Sequence, residues 1–109
     1  MTITQAFLNR CLELGFKVNY QLIAFEKMGN DQATLANLTQ QVKRFKDHPA
    51  ILAWYLADEP GGQGIPPETL KPKYDAIKAA DTSKPVSMVF CTNQAKQYLD
   101  VLDLIMVDP

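Results

Sequence analysis

The 109-residue sequence predicts an α/β fold in which parallel β-strands alternate with helices. Amphipathic helical segments and short strand-like segments follow one another four times along the chain, with short connections between them. In addition, residues 50–57, AILAWYLA, are continuously apolar. That pattern is typical of a strand buried on both faces, as in a parallel sheet covered by helices.

The first half of the chain predicts two helices and two strands. Apolar residues at helical spacing end at Gly15, a natural C-cap, and residues 16–25 have the composition of a strand. A loop at 28–31, where Asn30 or Asp31 can cap, leads into a second helix that ends before Pro49, because a residue before proline avoids the helical region. The apolar faces of these helices are Phe7, Leu8, Cys11, Leu12 and Leu14, and then Leu35, Leu38, Val42 and Phe45.

The second half repeats the alternation. A loop rich in glycine and proline, residues 61–67, leads into a third helix, and Pro72 limits where the interior of that helix can begin. Residues 85–90 predict a third strand, Asn93 can cap a short helix, and residues 103–109 predict a fourth strand. The predicted order is therefore αβαβαβαβ.

Two architectures agree with this order: a doubly wound open sheet and part of an eight-stranded (β/α) barrel. No glycine-rich phosphate-binding turn follows a predicted strand, which weakens the nucleotide-binding open sheet. Polar and acidic residues do follow the strands, and active sites of barrels collect at that edge. We therefore predict that residues 1–109 form a single unit of a partial TIM (β/α)8 barrel, a fragment of a longer catalytic domain. The residues at the strand ends are Glu26, Asp58, Glu59, Cys91, Asn93 and Asp108.

Composition argues against several classes of partner and cofactor. The net charge of −1 argues against nucleic acid as a partner, since nucleic-acid-binding proteins concentrate basic residues on one face. No run approaches the roughly 18 apolar residues of a membrane span, so no membrane association is predicted. Cys11 and Cys91 form neither a disulfide framework nor a metal-ligand motif, and no cluster of ligand residues predicts a metal or another cofactor.

The segment HPAILAWYLADEP, residues 48–60, resembles the fourth-strand segment of (β/α)8-barrel glycoside hydrolases of the large retaining clan, which includes β-galactosidases, cellulases and mannanases. In that clan an Asn-Glu-Pro or Asp-Glu-Pro tripeptide ends the fourth strand. Residues 12–25, 74–90 and 102–109 resemble the third-, fifth- and sixth-strand regions of the same barrels, in the same order. The chain is thus similar to the central portion of such a barrel.

This resemblance implies a carbohydrate substrate and cleavage of O-glycosidic bonds by retaining double displacement, with Glu59 as the general acid/base. Retaining cleavage needs a second, ionised carboxylate about 5–5.5 Å away. The clan's nucleophile follows the seventh strand, which this chain does not include, so the isolated chain is predicted to be inactive. The resemblance also implies substrate contacts for Asp58, where relatives often carry an asparagine, and for Asp108. Tyr55 has the strand parity of Glu59 and can line the barrel interior.

Other interpretations of the same residues stay open. Asp58 can cap the following loop and Glu59 can pair with a lysine, while Glu26 and Asp108 are equally well explained as solvated loop carboxylates. Trp54 lies in the middle of a strand and is expected to pack between sheet and helices, and His48 is expected to be a turn residue. The alternative function is a non-catalytic carbohydrate-binding or structural half-barrel, which can form a homo-oligomer through its exposed strand edges.

Overall fold

The structure, a computed structural model, describes residues 4–91 and 93–107. It confirms the predicted alternation of helices and parallel strands. Four strands form one parallel sheet in which each strand lies beside the next one along the chain. The strands are β1 (Val18–Gln21), β2 (Ile51–Asp58), β3 (Val86–Phe90) and β4 (Leu104–Val107); the α-helices are α1 (Gln5–Glu13), α2 (Gln32–Phe45) and α3 (Pro67–Ala80).

The helix ends follow from local sequence. Thr4 accepts a hydrogen bond from the N–H of Phe7 and caps α1, and Gly15 ends the turn after this helix with a φ of 78°. Asp31, and not Asn30, caps α2 by accepting from the N–H of Thr34 at 3.2 Å. The third helix begins at Pro67 and continues through Pro72.

Two predicted elements differ from what the sequence suggested, and each difference is a 3-10 helix. The strand predicted at 16–25 ends at Gln21, because the chain turns at Leu22 into a 3-10 helix, Ile23–Phe25, that buries Phe25 in the core. The helix predicted after residue 93 is also a 3-10 helix, Asn93–Tyr98, held by a hydrogen bond of 2.6 Å from the Tyr98 hydroxyl to the Ile65 carbonyl.

One face of the sheet packs against the helices and forms the core. Trp54 of β2 is fully buried there, beside Tyr20 at 5.4 Å between ring centroids, and its Nε1 donates a hydrogen bond of 3.0 Å to Asp81. This agrees with the packing role expected for Trp54. Buried residues of the three helices belong to the same core, and those of α1 and α2 lie on the predicted apolar faces: Leu8 of α1, Leu38, Val42 and Phe45 of α2, and Leu70 and Ile77 of α3.

The opposite face of the sheet is concave. Asn19 of β1 accepts a hydrogen bond from Ser87 of β3 at 2.7 Å, and its amide nitrogen lies 2.9 Å from the sulfur of Met106 in β4. Strands β1 and β4 would be about 14 Å apart in a flat sheet, since neighbouring strands are about 4.8 Å apart. The contact between Asn19 and Met106 therefore requires a curved sheet, as in the wall of a barrel.

The outer strands leave apolar surface uncovered. All four residues of β4 are exposed, and Val107 has 75% of its surface accessible. At the other side of the sheet, Leu14 and Phe16, between α1 and β1, are more than half exposed. Within residues 4–91 and 93–107, no helix is long and apolar enough to cross a membrane.

Candidate active site at the carboxyl edge of the sheet

Strand β2 extends beyond β1 at the carboxyl edge of the sheet and places Asp58 on the concave face. The last pair between β1 and β2 is Gln21 with Tyr55, whereas Asp58 pairs with Val89 of β3. Val89 lies on the same face as Ser87, because side chains two apart on a strand share a face. Asp58 is exposed there.

The expected parity between Tyr55 and Glu59 is wrong. The register of β2 against β3 shifts between Tyr55 and Ala57, where one extra residue is accommodated as a bulge. Tyr55 pairs with Ser87 and is half-buried on the concave face. Beyond the bulge it is Asp58, and not Glu59, that shares this face with Tyr55. A bulge leaves no clear signal in a continuously apolar segment, so sequence periodicity could not reveal it.

Glu59 turns the chain out of β2. It has a φ of 48°, the left-handed region that non-glycine residues rarely adopt. Its N–H donates a hydrogen bond of 2.8 Å to the carbonyl of Val89, and its Oε1 accepts a hydrogen bond from the backbone N–H of Cys91. The first contact fixes the Glu59 backbone, and the second holds its half-buried carboxylate over the carboxyl end of β3. The described partner of this carboxylate is thus a backbone amide, whereas the alternative interpretation expected a lysine.

The loop after Glu59 packs against the 3-10 helix Asn93–Tyr98. Pro60 is buried, and a Cβ atom added at Gly61 would overlap the side-chain amide of Gln94, so a larger residue there would require the Gln94 side chain to move. The N–H of Gln63 donates to the carbonyl of Glu59 at 3.1 Å, which closes the turn. The glycines and proline after Glu59 thus belong to a hydrogen-bonded turn.

Glu26 lies next to Asp58 but points at backbone. Its Oε2 accepts a hydrogen bond of 2.9 Å from the N–H of Asp58, and its Oε1 accepts one of 3.2 Å from the side-chain amide of Gln63. The same amide donates to the carbonyl of Asp58. Sequence reasoning identified Glu26 as a strand-end carboxylate but missed Gln63, because a glutamine in a glycine-rich loop carries no motif.

Of the remaining predicted residues, the structure describes His48. His48 lies in the turn before β2 at the amino edge, where its Nδ1 accepts from the N–H of Ala50. The imidazole therefore carries its proton on Nε2, which donates to Asn9 at 2.8 Å. Asp108 lies outside the described residues.

The carboxyl group whose pKa is most strongly shifted, that of Asp81, lies at the amino edge, away from Glu59. Burial by itself raises the pKa of Asp81, but hydrogen bonds from Ser83 and Trp54 and the charge of Lys84 outweigh it and lower the pKa to about 2. The hydrogen bond from Tyr74 to Asp103 raises the pKa of that tyrosine to about 12. These groups join α3 to the starts of β3 and β4, so they stabilise the fold.

The chemistry available at the carboxyl edge of the sheet comes from the carboxyl groups of its side chains. A carboxyl group held at the rim of a concave face can exchange a proton with an oxygen atom of a bound molecule. No group of three or more histidine, cysteine, aspartate or glutamate residues that could hold a metal ion occurs in the part of the chain that the structure describes. The described edge therefore supplies carboxylates, backbone amides and the hydroxyl of Tyr55.

A curved parallel sheet with carboxylates at its carboxyl edge is the arrangement in which TIM-barrel enzymes build their active sites. Residues 4–108 match the family model described as glycosyl hydrolases family 2, TIM barrel domain. The chain belongs to glycosyl hydrolase family 2, and it is a partial segment of the TIM barrel of that family.

Solved structures show the same fold at low sequence identity. A glycosyl hydrolase family 2 member from Bacteroides cellulosilyticus superposes with a TM-score of 0.72 at 21% identity, over 96% of this chain and 15% of that one. Bacteroides uniformis β-glucuronidase 3 gives a TM-score of 0.72 at 14% identity, over 100% of this chain and 15% of that one. The family 2 β-galacturonidase from Eisenbergiella tayi, bound to galacturonate, gives 0.66 at 20% identity, over 94% and 20%.

These similarities cover only part of each neighbour. The chain spans 15% to 20% of the length of the three structures named above. No curated protein sequence matches it.

Proposed function

We propose that this chain is a portion of a family 2 catalytic barrel that cleaves β-linked O-glycosidic bonds with retention, and that Glu59 is its general acid/base. The observation that carries the proposal is the position of Glu59. It lies at the carboxyl edge, where barrel active sites are built, with its carboxylate held by the amide of Cys91. Family membership and the Asp-Glu-Pro sequence at the end of β2 support the same role.

In this mechanism Glu59 works in both steps. Protonated Glu59 donates its proton to the glycosidic oxygen as the bond to the anomeric carbon breaks, while a second carboxylate attacks that carbon and forms a covalent glycosyl-enzyme intermediate. The ionised Glu59 then accepts a proton from the water that releases the sugar. We propose that the nucleophilic carboxylate comes from a barrel strand beyond the described residues.

We propose that Asp58, Tyr55 and Asp108 bind the carbohydrate. Asp58 and Tyr55 share the concave face, and Asp58 is exposed next to Glu59. An ionised carboxylate can accept hydrogen bonds from sugar hydroxyl groups, and a tyrosine offers both a ring face and a hydroxyl group. Asp108 lies outside the described residues, and in the sequence it directly follows β4.

The test uses the complete catalytic domain that contains this chain. Aryl β-glucuronides, β-galacturonides and β-galactosides are suitable substrates, because neighbours are named β-glucuronidase and β-galacturonidase. Glu59→Ala should lower kcat/KM about 10²–10⁴-fold for glycosides with poor leaving groups, and far less for dinitrophenyl glycosides, which need no protonation. Azide should restore turnover and give a β-glycosyl azide.

The control is Glu13→Ala, since Glu13 is an exposed glutamate at the end of α1, at the opposite edge of the sheet. This variant should have unchanged kcat/KM for both kinds of substrate. Equal loss on both kinds of leaving group in the Glu59 variant, or no loss, would contradict the acid/base role.

The second candidate function is a non-catalytic carbohydrate-binding half-barrel, which the polar residues of the concave face favour: Asp58 is exposed there, and Asn19 and Tyr55 are half-buried. The isolated 109-residue chain should not hydrolyse any of the glycosides above. Binding of the free sugars without hydrolysis in the complete domain as well would favour the binding function. Steady hydrolysis with retention by the isolated chain would overturn the assignment of the nucleophile to another strand.

A further inference from the structure

Strand β2 has no backbone partner on one side at the residue that precedes Glu59. In a parallel sheet the N–H and C=O groups of one residue point to the same neighbouring strand. Tyr55 uses its carbonyl to accept from Leu22 on the β1 side at 2.7 Å, but β1 then turns into the 3-10 helix Ile23–Phe25. Asp58 would thus have an unpaired N–H and C=O on that side.

Two side chains supply the hydrogen-bond partners that β1 does not provide for Asp58. Glu26 accepts the hydrogen bond from the Asp58 N–H at 2.9 Å, and the amide of Gln63 donates to the Asp58 carbonyl. The second N–H of that amide donates to Glu26 at 3.2 Å, so the two side chains also fix one another. Both peptide groups of Asp58 are thereby held at the point where the chain turns.

Glu26 is the acceptor and Gln63 the donor in this arrangement, and neither side chain can take the role of the other. Glu26 accepts two hydrogen bonds, which an ionised carboxylate can do and a single amide oxygen with its adjacent NH₂ cannot do in the same geometry. Gln63 donates two, which a carboxylate cannot do. The arrangement therefore explains why a glutamate and a glutamine stand at these two positions.

The residue that follows is the one with unusual backbone geometry. A non-glycine residue in the left-handed region persists only where its surroundings fix it. On the β3 side Glu59 is held by its bond to Val89, and its carboxylate is held by the amide of Cys91. On the β1 side the fixed point is Asp58, held by Glu26 and Gln63.

We propose that Glu26 and Gln63 are positioning residues for Glu59, a role that rests on the proposed function of Glu59 as general acid/base. Their side chains form hydrogen bonds to the backbone of Asp58 and to one another. They fix the Asp58 peptide groups, and through them the direction in which the Glu59 carboxyl group leaves the strand. Glu26 thus acts on the reaction through backbone, rather than as a substrate ligand or a solvated carboxylate.

The first experiment measures the arrangement without activity. Hydrogen exchange of the 109-residue chain, resolved by mass spectrometry to the peptides containing residues 58 and 91, should accelerate about tenfold or more in Glu26→Ala and in Gln63→Ala. Exchange in α2 should be unchanged in both variants. Unchanged exchange at residues 58 and 91 would overturn the proposal.

The second experiment uses the complete catalytic domain and the two kinds of leaving group. If the pair positions the acid, Glu26→Ala and Gln63→Ala should lower kcat about 10–100-fold for alkyl glycosides, since a displacement near 1 Å can cost about 100-fold. Activity on dinitrophenyl glycosides should change less than about threefold, because those leaving groups need little protonation. Equal loss on both substrates would show a general structural defect and overturn the proposal.

Comparison of two Glu26 variants separates position from charge. Glu26→Gln and Glu26→Ala remove the same charge, but glutamine can still accept from the Asp58 N–H. We expect a smaller loss in Glu26→Gln than in Glu26→Ala, and equal losses would assign the effect to charge and overturn the proposal. If Glu59→Ala loses activity mainly on glycosides with poor leaving groups, but the Glu26 and Gln63 variants show no such preference, the positioning role alone is refuted. Absence of leaving-group dependence in Glu59→Ala would instead refute the proposed function.

Discussion

At the scale of single residues, Asp81 and Glu59 show how differently two carboxylates are used. Asp81 is 5% exposed and accepts hydrogen bonds from Trp54 and Ser83 in the core beneath the sheet. Glu59 is half-buried at the carboxyl edge and accepts from one backbone amide that is described. A fully satisfied buried carboxylate stabilises the fold, whereas one at an accessible edge is available for proton transfer.

The acid sensitivity of the fold should depend on Asp81. Its pKa is lowered from 3.8 to about 2 in the folded state, so its stabilising contribution is present above pH 4 and is lost as the pH falls from about 4 to 2. At pH 6, Asp81→Asn should lower the free energy of unfolding by roughly 2 kcal/mol. Urea unfolding of the unmodified protein and of Asp81→Asn should show this difference in the free energy of unfolding at pH 6. Near pH 2 the difference should be smaller.

Asp75→Asn is the matched control for that measurement. Asp75 forms a surface ion pair with Lys71 at 3.1 Å, and its side chain is 57% exposed. Exposed pairs at this helical spacing contribute about 0.3–0.5 kcal/mol. A loss at Asp81 that is no larger than the loss at Asp75, or that persists unchanged near pH 2, would contradict the assignment.

At the scale of secondary-structure elements, α3 contains a proline where a helix normally has a hydrogen bond. Pro67 is the first residue of the helix, a position that has no intrahelical acceptor for its N–H. Pro72 is in the interior, where the missing N–H would otherwise donate to the carbonyl of Glu68. The sequence indicated a boundary near Pro72, but the apolar face of Leu70 and Ile77 is continuous across it, and packing outweighs the lost bond.

Pro72→Ala should therefore stabilise the protein. Alanine supplies the missing N–H and is up to about 3 kcal/mol more favourable than proline in a helix interior, so we expect a gain of roughly 1–3 kcal/mol in the free energy of unfolding. Pro67→Ala is the control, since no helical bond is gained at the first position and no stabilisation is expected. A gain at Pro67 equal to that at Pro72 would show that the helical hydrogen bond is not the cause.

At the scale of the whole molecule, the order of the elements could be predicted because each is recorded in local sequence. Leu38, Val42 and Phe45 repeat at helical spacing, and the apolar run 50–57 specifies a strand buried by helices. The details of the site could not be predicted in the same way. The bulge after Tyr55 and the contact between Glu26 and Gln63 depend on where β1 stops relative to β2, which is a property of the assembled sheet.

The same assembled sheet has two outer strands with free edges among the described residues. In β4, Ile105 is 41% exposed and Val107 is 75% exposed, and on the other side Phe16 next to β1 is 61% exposed. An eight-stranded barrel would cover both sides. Unpaired edges with apolar side chains are templates for pairing with another chain. We therefore propose that the isolated 109-residue chain forms homo-oligomers through these edges.

Sedimentation or light scattering of the isolated chain should show a mass above 12.2 kDa that increases with concentration. Ile105→Lys should shift the distribution towards the monomer, because a charge on an edge strand opposes pairing with another chain. Leu99→Lys is the matched control: Leu99 is 57% exposed but lies outside the sheet, so this change should leave the distribution as it is. A monomer at all concentrations, or equal effects of the two lysines, would contradict association through the strand edges and would favour another surface, such as that around Leu99.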